Sequence, residues 1–265
     1  MRVVSALVLL IVIFGTLWFL PPWVTILLAA AVAWLGAGEL ADMAGALGVD
    51  VPRIFVGAGA AIVSVAFVAA AEQTPSDALA LVLAALVVSA GAVTLALGPP
   101  GPAVVARAAT MVMAPVYVGV PLGIIAWLLG AYGPAVTTWL LVMIAVSDSG
   151  QYYCGRAFGR RRLAPRVSPA KTIEGAIGGV AVAAIVGAIT LPRVLPDVSP
   201  LAAAGLTLVL ALAGIVGDLF ESQLKRSAGV KDSSQLIPGH GGILDRVDSH
   251  LFAAPVFYLF LRYVA

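Results

Sequence analysis

The stretch from Arg2 to Leu20 reads RVVSALVLLIVIFGTLWFL, one charge followed by a long apolar run. About 20 predominantly apolar residues are enough to cross the hydrocarbon core of a bilayer as one helix. Further apolar runs occupy residues 23–38, 54–71, 78–97, 108–129, 136–146, 173–191, 201–219 and 251–264. The pattern predicts an all-α, polytopic integral membrane protein with about nine transmembrane helices.

The overall composition agrees with this class of protein. Of the 265 residues, 62% are hydrophobic and 11% are charged, whereas a soluble domain has about 45–50% and about 25%. The mean hydropathy is +1.08. A formal net charge of +2 is too small to indicate a nucleic-acid partner. The single cysteine, Cys154, excludes an intramolecular disulfide framework and a cysteine-built zinc site.

The basic residues indicate the orientation in the membrane. If nine helices cross the bilayer and the amino terminus is cytoplasmic, 13 of the 15 basic residues fall on the cytoplasmic side. Only Arg193 and Arg262 fall on the other side. Cytoplasmic loops of membrane proteins carry an excess of lysine and arginine. We therefore expect a cell (plasma) membrane protein whose charged loops, and with them the active site, face the cytoplasm.

Charged residues are concentrated in the second half of the chain. The segments Asp148–Glu174 and Asp218–Asp248 together hold ten of the 15 basic and seven of the 13 acidic residues. We therefore interpret residues 1–133 as transmembrane scaffold helices and residues 134–265 as the catalytic region of a single membrane-embedded unit. Glu39 and Asp42, after the second apolar run, are interpreted as interfacial residues.

The end of the eighth apolar run carries a polar stripe. If its helix continues, Asp218, Ser222 and Lys225 lie at positions i, i+4 and i+7 on one face, and Arg226 lies beside them. Ionisable groups near a bilayer are expensive and usually line a cavity or pair with each other. The stripe therefore predicts a functional site at the boundary between membrane and cytoplasm.

A second group of polar residues follows the stripe, between residues 231 and 248. It contains Lys231 and Asp232, the stretch Pro238-Gly239-His240-Gly241-Gly242, and then Asp245, Arg246 and Asp248. Glycines permit a turn that presents backbone N–H groups to phosphate oxygens. Paired carboxylates near phosphate are ligands that Mg²⁺ prefers. His240 can act as a general acid or base, bind phosphate or fix the loop, and these alternatives stay open.

A third group lies upstream, between the sixth and seventh apolar runs. Ser168 and Pro169 suit the N-cap and first positions of the seventh helix, which predicts an anion site beside Lys171 and Thr172. The run of arginines at 160–162 is interpreted as an anchor on anionic lipid. Asp148 and Glu174 flank this segment.

These groups together resemble the signature of the phosphatidate cytidylyltransferase (CDP-diacylglycerol synthase) family. The matching positions are Ser222-x-Leu224-Lys225-Arg226, Lys231-Asp232-x-Ser234, Ile237-Pro238-x-His240-Gly241-Gly242-Ile243-x-Asp245-Arg246-Val247-Asp248 and Ser168-Pro169-x-Lys171-Thr172-x-Glu174-Gly175. The segment from Asp148 to Tyr152 also resembles the family, although Gln151 and Ala170 depart from its usual residues.

The resemblance implies transfer of a cytidylyl group from CTP to phosphatidic acid, which forms CDP-diacylglycerol and pyrophosphate. It implies Mg²⁺ as a cofactor, a second cation such as K⁺, and a homodimer. Asp218, Asp245 and Asp248 are expected to bind metal and, with Lys225 and Arg226, to be catalytic. The expected substrate-binding residues are Asp148, Ser168, Lys171, Thr172, Glu174, Ser222, Lys231, Asp232, His240, Gly241, Gly242 and Arg246.

Two other functions are compatible with parts of the sequence. A CTP-dependent enzyme for another lipid phosphate or for a lipid alcohol would need similar phosphate-binding groups. An ion-coupled transporter would also place carboxylates in the membrane, but its polar residues would be spread across the midplane of several helices. The charges of this chain cluster at one face, which favours the enzyme.

Overall fold

The computed structural model describes residues 2–72, 77–239 and 241–264, and His240 lies outside the described residues. Helices dominate the described chain, as the sequence predicts, and a small two-stranded sheet is added to them. The elements are α1 (Arg2–Phe19), α2 (Pro22–Ala46), α3 (Arg53–Glu72), α4 (Ala78–Ala96), α5 (Val104–Phe158), β1 (Arg162–Ala164), β2 (Ser168–Thr172), α6 (Ile173–Val194), α7 (Pro200–Ser227) and α8 (Leu244–Tyr263).

The helices follow the apolar runs of the sequence. The fifth and sixth runs lie in one long element, α5, which is interrupted at Gly133 by a non-helical backbone conformation (φ 79°, ψ 178°). A positive φ of this kind is accessible to glycine because it has no Cβ. Among the described residues, six helices, α2 to α7, are long and apolar enough to cross a membrane. The class of an all-α polytopic membrane protein is therefore confirmed, while the count of nine spans and the orientation remain predictions.

The chain packs as two compact units. The first consists of Met1–Ala131 and Ser227–Arg246, and the second consists of Tyr132–Arg226 and Val247–Ala265. The sequence-based division at residue 133 separates a scaffold role from a catalytic role. It does not describe packing, and it stays a prediction. The segment Ser227–Arg246, which that division assigned to the catalytic region, nevertheless packs with the helices of the first unit.

Close helix contacts in the first unit depend on glycine. A Cβ added at Gly119 of α5 would lie 2.5 Å from the carbonyl oxygen of Ala60 in α3. A Cβ added at Gly123 would lie 2.6 Å from the carbonyl oxygen of Ser64. Small residues let helix backbones approach closely, and membrane helices use this because apolar burial alone does not drive their association. The first part of α5 therefore packs directly on the backbone of α3.

The second unit places α7 and α8 side by side in the same way. A Cβ added at Gly217 would lie 2.6 Å from the carbonyl oxygen of Asp248. Farther along α8, the ring of Phe257 packs on Trp139 of α5 with ring centroids 5.5 Å apart. The indole N–H of Trp139 in turn donates to Thr190 Oγ1 of α6 at 2.9 Å. These contacts fix the polar ends of α5, α7 and α8 within one unit.

The start of α6 differs from the sequence prediction. Ser168 and Pro169 do not begin the helix, because Ser168–Thr172 forms strand β2, which pairs antiparallel with β1. The helix begins at Ile173, and Thr172 is its N-cap, with Oγ1 accepting from the N–H of Gly175 at 3.1 Å. The prediction was wrong because threonine caps a helix as serine does, and pairing with β1 holds Ser168 in extended backbone.

We expect Gly119→Ala to lower the melting temperature of the detergent-purified protein. The added methyl would press on the backbone of Ala60, and overpacking of this kind costs about 1–3 kcal/mol. Gly91→Ala in α4 is the matched control, because no atom lies within 4 Å of a Cβ added there. Alanine is also the better helix former by about 0.5–1 kcal/mol. Equal melting temperatures for the two variants would contradict the close contact of α3 and α5.

Candidate active site

Three carboxylates of the second unit lie close enough for their charges to interact. They are Asp148 of α5, Asp218 of α7 and Asp248 of α8, and we call them the carboxylate cluster. Asp248 precedes the apolar run of α8. Three carboxylates at such distances repel one another unless positive charge offsets them. The cluster is therefore rich in negative charge and favours a positively charged ligand.

Lys171 supplies one positive charge to this cluster. Its Nζ lies 2.5 Å from Asp218 Oδ2, and the two side chains are 21% and 28% exposed, so the ion pair is largely shielded from water. Strand β2 presents the lysine. Ser222 Oγ donates to the other oxygen of Asp218 at 3.3 Å, and Gln151 Nε2 donates to Asp148 Oδ1 at 3.0 Å. The structure therefore brings Lys171 and Asp218, from the two charged segments of the sequence, into direct contact. The contact of Gln151 with Asp148 was not predicted from the sequence.

The polar stripe of α7 is present as predicted. The helix continues to Ser227, so Asp218, Ser222 and Lys225 lie on one helix. Lys225 Nζ lies 2.5 Å from Oε2 of Glu221, a side chain with no exposed surface. Sequence reasoning overlooked Glu221, although its position four residues before Lys225 is a signal for an ion pair. A buried carboxylate needs a partner of opposite charge, so this pair also fixes the lysine.

The loop between α7 and α8, residues 228–243, folds around Asp245 in the first unit. Asp245 Oδ2 accepts from the N–H of Ser233 at 2.9 Å, from Ser233 Oγ at 2.9 Å and from the N–H of Gly242 at 2.8 Å. Gly241 has a φ of +80°, and a Cβ there would lie 2.6 Å from Asp245 Oδ2. The N–H of Gly242 thus binds a carboxylate of the chain, where the sequence predicted a phosphate.

Glu39 of α2 also contacts this loop. It is 1% exposed, and its two carboxyl oxygens accept hydrogen bonds from Ser233, Ser234, Ile243 and Leu244. The interpretation of Glu39 as an interfacial residue is therefore wrong. A carboxylate inside an apolar helix is itself the signal that could have identified it, because such a group is costly unless it has a partner. Asp42 is half-exposed and pairs with Arg53 at 3.1 Å.

The remaining predicted site residues have other positions. Glu174 Oε2 accepts from the N–H groups of Arg160 at 2.9 Å and Arg161 at 3.1 Å, so it closes the turn before the β-hairpin. Four side chains that were expected to contact substrate are exposed or half-buried at the surface of their units: Ser168, Lys231, Asp232 and Arg246. Arg226 is exposed at the end of α7.

The expected metal ligands are distributed over both units. Asp218 and Asp248 belong to the carboxylate cluster of the second unit, whereas Asp245 belongs to the first. Across residues 2–72, 77–239 and 241–264, no group of three or more histidine, cysteine or acidic side chains has an arrangement that could hold a metal ion. Mg²⁺ usually takes one or two carboxylates, waters and substrate phosphates. The carboxylates of the cluster fit that kind of site, in which the substrate completes the ligand set.

The fold and the cluster together define an α-helical polytopic membrane protein with a polar site of carboxylates and lysines. A model of the cytidylyltransferase family matches residues 1–264. The chain therefore belongs to the cytidylyltransferase family.

Relatives of known sequence agree with the family match. The phosphatidate cytidylyltransferase of Pseudomonas aeruginosa is 39% identical over 264 residues, which cover 97% of this chain and 94% of that protein. The phosphatidate cytidylyltransferase of Haemophilus influenzae is 42% identical over 137 residues, 50% of this chain and 48% of the relative. That of Bacillus subtilis is 44% identical over 134 residues, 50% and 49%. The chain thus spans about half the length of several curated relatives and nearly all of another.

Proposed function

We propose that the protein transfers a cytidylyl group from CTP to phosphatidic acid and forms CDP-diacylglycerol and pyrophosphate. The observation that carries the proposal is the carboxylate cluster with Lys171 and Ser222 beside it, within a member of the cytidylyltransferase family. The names of the relatives support the choice of lipid. The substrates also suit the fold, because one of them is a lipid and the other is soluble.

The chemistry needs no nucleophile from the protein. A phosphate oxygen of phosphatidic acid attacks the α-phosphorus of CTP, a P–O bond forms, and the bond to the β-phosphate oxygen breaks to release pyrophosphate. Negative charge builds on the phosphate oxygens, so catalysis consists of positioning and of charge neutralisation. Lys171, Lys225 and Arg226 supply cations, and Ser222 supplies a hydroxyl donor. Asp218 orients Lys171 and Ser222 through its contacts with them, and Asp218 and Asp248 supply anionic oxygens for a cation.

Mg²⁺ is the cofactor that we propose for this site. It neutralises charge on the phosphates and favours their in-line arrangement when it is bound. Asp218 and Asp248 are the side chains that would hold it, and Asp245 is proposed as a further ligand on the basis of the family resemblance. A second cation such as K⁺ and a homodimer are proposed on that basis alone.

The proposed topology counts α5 as two membrane crossings. Nine crossings result if the two parts of α5 on either side of Gly133 cross separately and α1 and α8 also cross. The amino terminus then lies in the cytoplasm, and the β-hairpin and the α7–α8 loop lie on the same side of the cell membrane. The distribution of basic residues supports this arrangement.

The first prediction from the proposed function concerns the reaction. Purified protein with phosphatidic acid, Mg²⁺ and CTP labelled at the α-phosphate should transfer the label to the lipid phase. Pyrophosphate release should require both substrates. Label that enters the lipid from the γ-phosphate, with diacylglycerol as acceptor, would instead identify a CTP-dependent lipid kinase. Transfer only to a different lipid phosphate would contradict the proposed acceptor.

The second prediction concerns Asp218. Asp218→Asn keeps the size of the side chain but removes the charge that pairs with Lys171 and attracts the cation. We expect kcat to fall at least ~10²-fold at saturating substrates, because the lost stabilisation belongs to the transition state. Asp42→Asn is the control and should keep near-normal kcat, because the half-exposed pair with Arg53 contributes about 0–1 kcal/mol. An active Asp218→Asn enzyme with unchanged Mg²⁺ dependence would remove Asp218 from the proposed site.

The third prediction concerns orientation. In a Cys154→Ser background, single cysteines replace Arg166 in the turn of the β-hairpin and Asp197 between α6 and α7. Both positions are exposed, and helix α6 separates them. A membrane-impermeant maleimide should label the cysteine at 197 in intact cells and the cysteine at 166 only after permeabilisation. The reverse pattern would invert the proposed topology, and equal labelling in intact cells would contradict a crossing by α6.

A further inference from the structure

Glu39 is a buried carboxylate in the half of the chain that sequence analysis interpreted as scaffold. It lies in α2 and is 1% exposed. Burial of an ionisable group in apolar surroundings costs several kcal/mol unless hydrogen bonds or charges compensate. The partners of Glu39 come from one place in the sequence, the α7–α8 loop and the first residue of α8.

Each carboxyl oxygen of Glu39 has one hydroxyl donor and one backbone donor. Oε1 accepts from Ser234 Oγ at 2.6 Å and from the N–H of Ile243 at 2.9 Å. Oε2 accepts from Ser233 Oγ at 2.8 Å and from the N–H of Leu244 at 2.9 Å. The two backbone N–H groups lie at the start of α8, where a helix has no internal acceptors for them. Glu39 therefore holds the two ends of the segment 233–244 next to each other.

Ser233 connects Glu39 to Asp245. Its hydroxyl oxygen lies 2.8 Å from Glu39 Oε2 and 2.9 Å from Asp245 Oδ2. A serine hydroxyl has a single hydrogen, so it donates to one of the two carboxyl groups at a time. The backbone N–H of Ser233 donates to the same oxygen of Asp245. The orientation of Asp245 is thus coupled to Glu39 through one shared side chain.

Gly242 shows how closely these groups approach each other. A Cβ at this position would lie 2.5 Å from both carboxyl oxygens of Glu39 and would overlap Ser233 Oγ. A side chain larger than hydrogen would therefore push Glu39 away from the loop. The close packing therefore explains a glycine at position 242 without any role in phosphate binding.

We propose that Glu39 is a positioning residue for the proposed reaction, which sets the orientation of Asp245 by fixing the α7–α8 loop and the start of α8. The inference rests on the proposed function for its catalytic consequence. Glu39 touches no substrate in this role. It acts through the hydrogen bonds of Ser233, Ser234, Ile243 and Leu244.

Glu39→Gln is the principal test. The amide NH₂ cannot accept from a backbone N–H, whereas a serine hydroxyl can reverse and accept from it. At least one of the N–H groups of Ile243 and Leu244 should therefore lose its acceptor. We expect hydrogen exchange at these two amides to accelerate at least about tenfold. Activity at subsaturating Mg²⁺ should fall about 10–100-fold, the usual effect of removing a group that orients a metal ligand, and the Mg²⁺ concentration for half-maximal activity should rise.

Two further variants separate positioning from general stability. Val56→Ala in α3 removes methyl groups from a fully buried residue of the same unit and leaves the hydrogen-bond partners of Glu39 in place. It should lower the melting temperature but leave the Mg²⁺ requirement and the relative protection of Ile243 and Leu244 unchanged. Ser234→Ala removes one donor and keeps Glu39, so it should raise the Mg²⁺ requirement by a smaller factor. Ser234→Ala also tests the positioning role if Glu39→Gln does not fold.

The outcomes distinguish this inference from the proposed function. Unchanged exchange and unchanged Mg²⁺ dependence in Glu39→Gln and Ser234→Ala, in an active enzyme, would overturn the positioning role. The same would follow if Val56→Ala changed the Mg²⁺ requirement as much as Glu39→Gln. Wild-type protein without cytidylyl transfer, combined with accelerated exchange in Glu39→Gln, would overturn the proposed function and support the structural coupling of Glu39 to Asp245.

Discussion

The carboxyl group of Glu39 binds two serine hydroxyls and two backbone N–H groups of a loop far away in sequence. A loop of this length has many backbone polar groups, and those that are buried need partners. The Ile237 N–H donates to the carbonyl oxygen of Gly241, and Asp245 takes two more N–H groups. Carboxylates therefore replace the regular hydrogen bonding that a helix would otherwise provide. This substitution explains why Ser227–Arg246 packs with α2 and its neighbours.

The second unit solves a related electrostatic problem in another way. Its carboxylate cluster places Asp148, Asp218 and Asp248 near each other, and ordinary repulsion would oppose that arrangement. Lys171 offsets part of the charge from β2, and the close contact of Gly217 with the backbone of α8 holds Asp218 and Asp248 in position. The remaining negative charge is an intrinsic property of this packing. A cation bound by these carboxylates would reduce it.

The sequence predicted the parts of the structure that depend on local pattern. Apolar runs predicted the helices, and the spacing of Asp218, Ser222 and Lys225 predicted a common helix, because both follow from the helical repeat. The predicted start of α6 was wrong. Ser168 and Thr172 are both acceptable N-cap residues, and only the pairing of Ser168 with β1 decides between them. Glu39 and Glu221 were not assigned to the site. The i, i+4 spacing of Glu221 and Lys225 does indicate their ion pair. The partners of Glu39 are chosen by tertiary packing, which the spacing of residues does not encode.

The position of Glu39 also bears on how the chain divides into functional parts. If residues 1–133 were only a lipid-facing wall, an apolar residue at position 39 would be cheaper by several kcal/mol than a buried carboxylate. The carboxylate is tolerated because Ser234, Ile243 and Leu244 donate to it, together with the shared hydroxyl of Ser233. These donors come from the segment that carries Asp245. Neither side of this contact is satisfied alone, because removal of the loop leaves a buried charge and removal of Glu39 leaves the first N–H groups of α8 without an acceptor. The amino-terminal helices and the α7–α8 loop therefore form one structural element, and a scaffold role for the first half of the chain is inseparable from the geometry at Asp245.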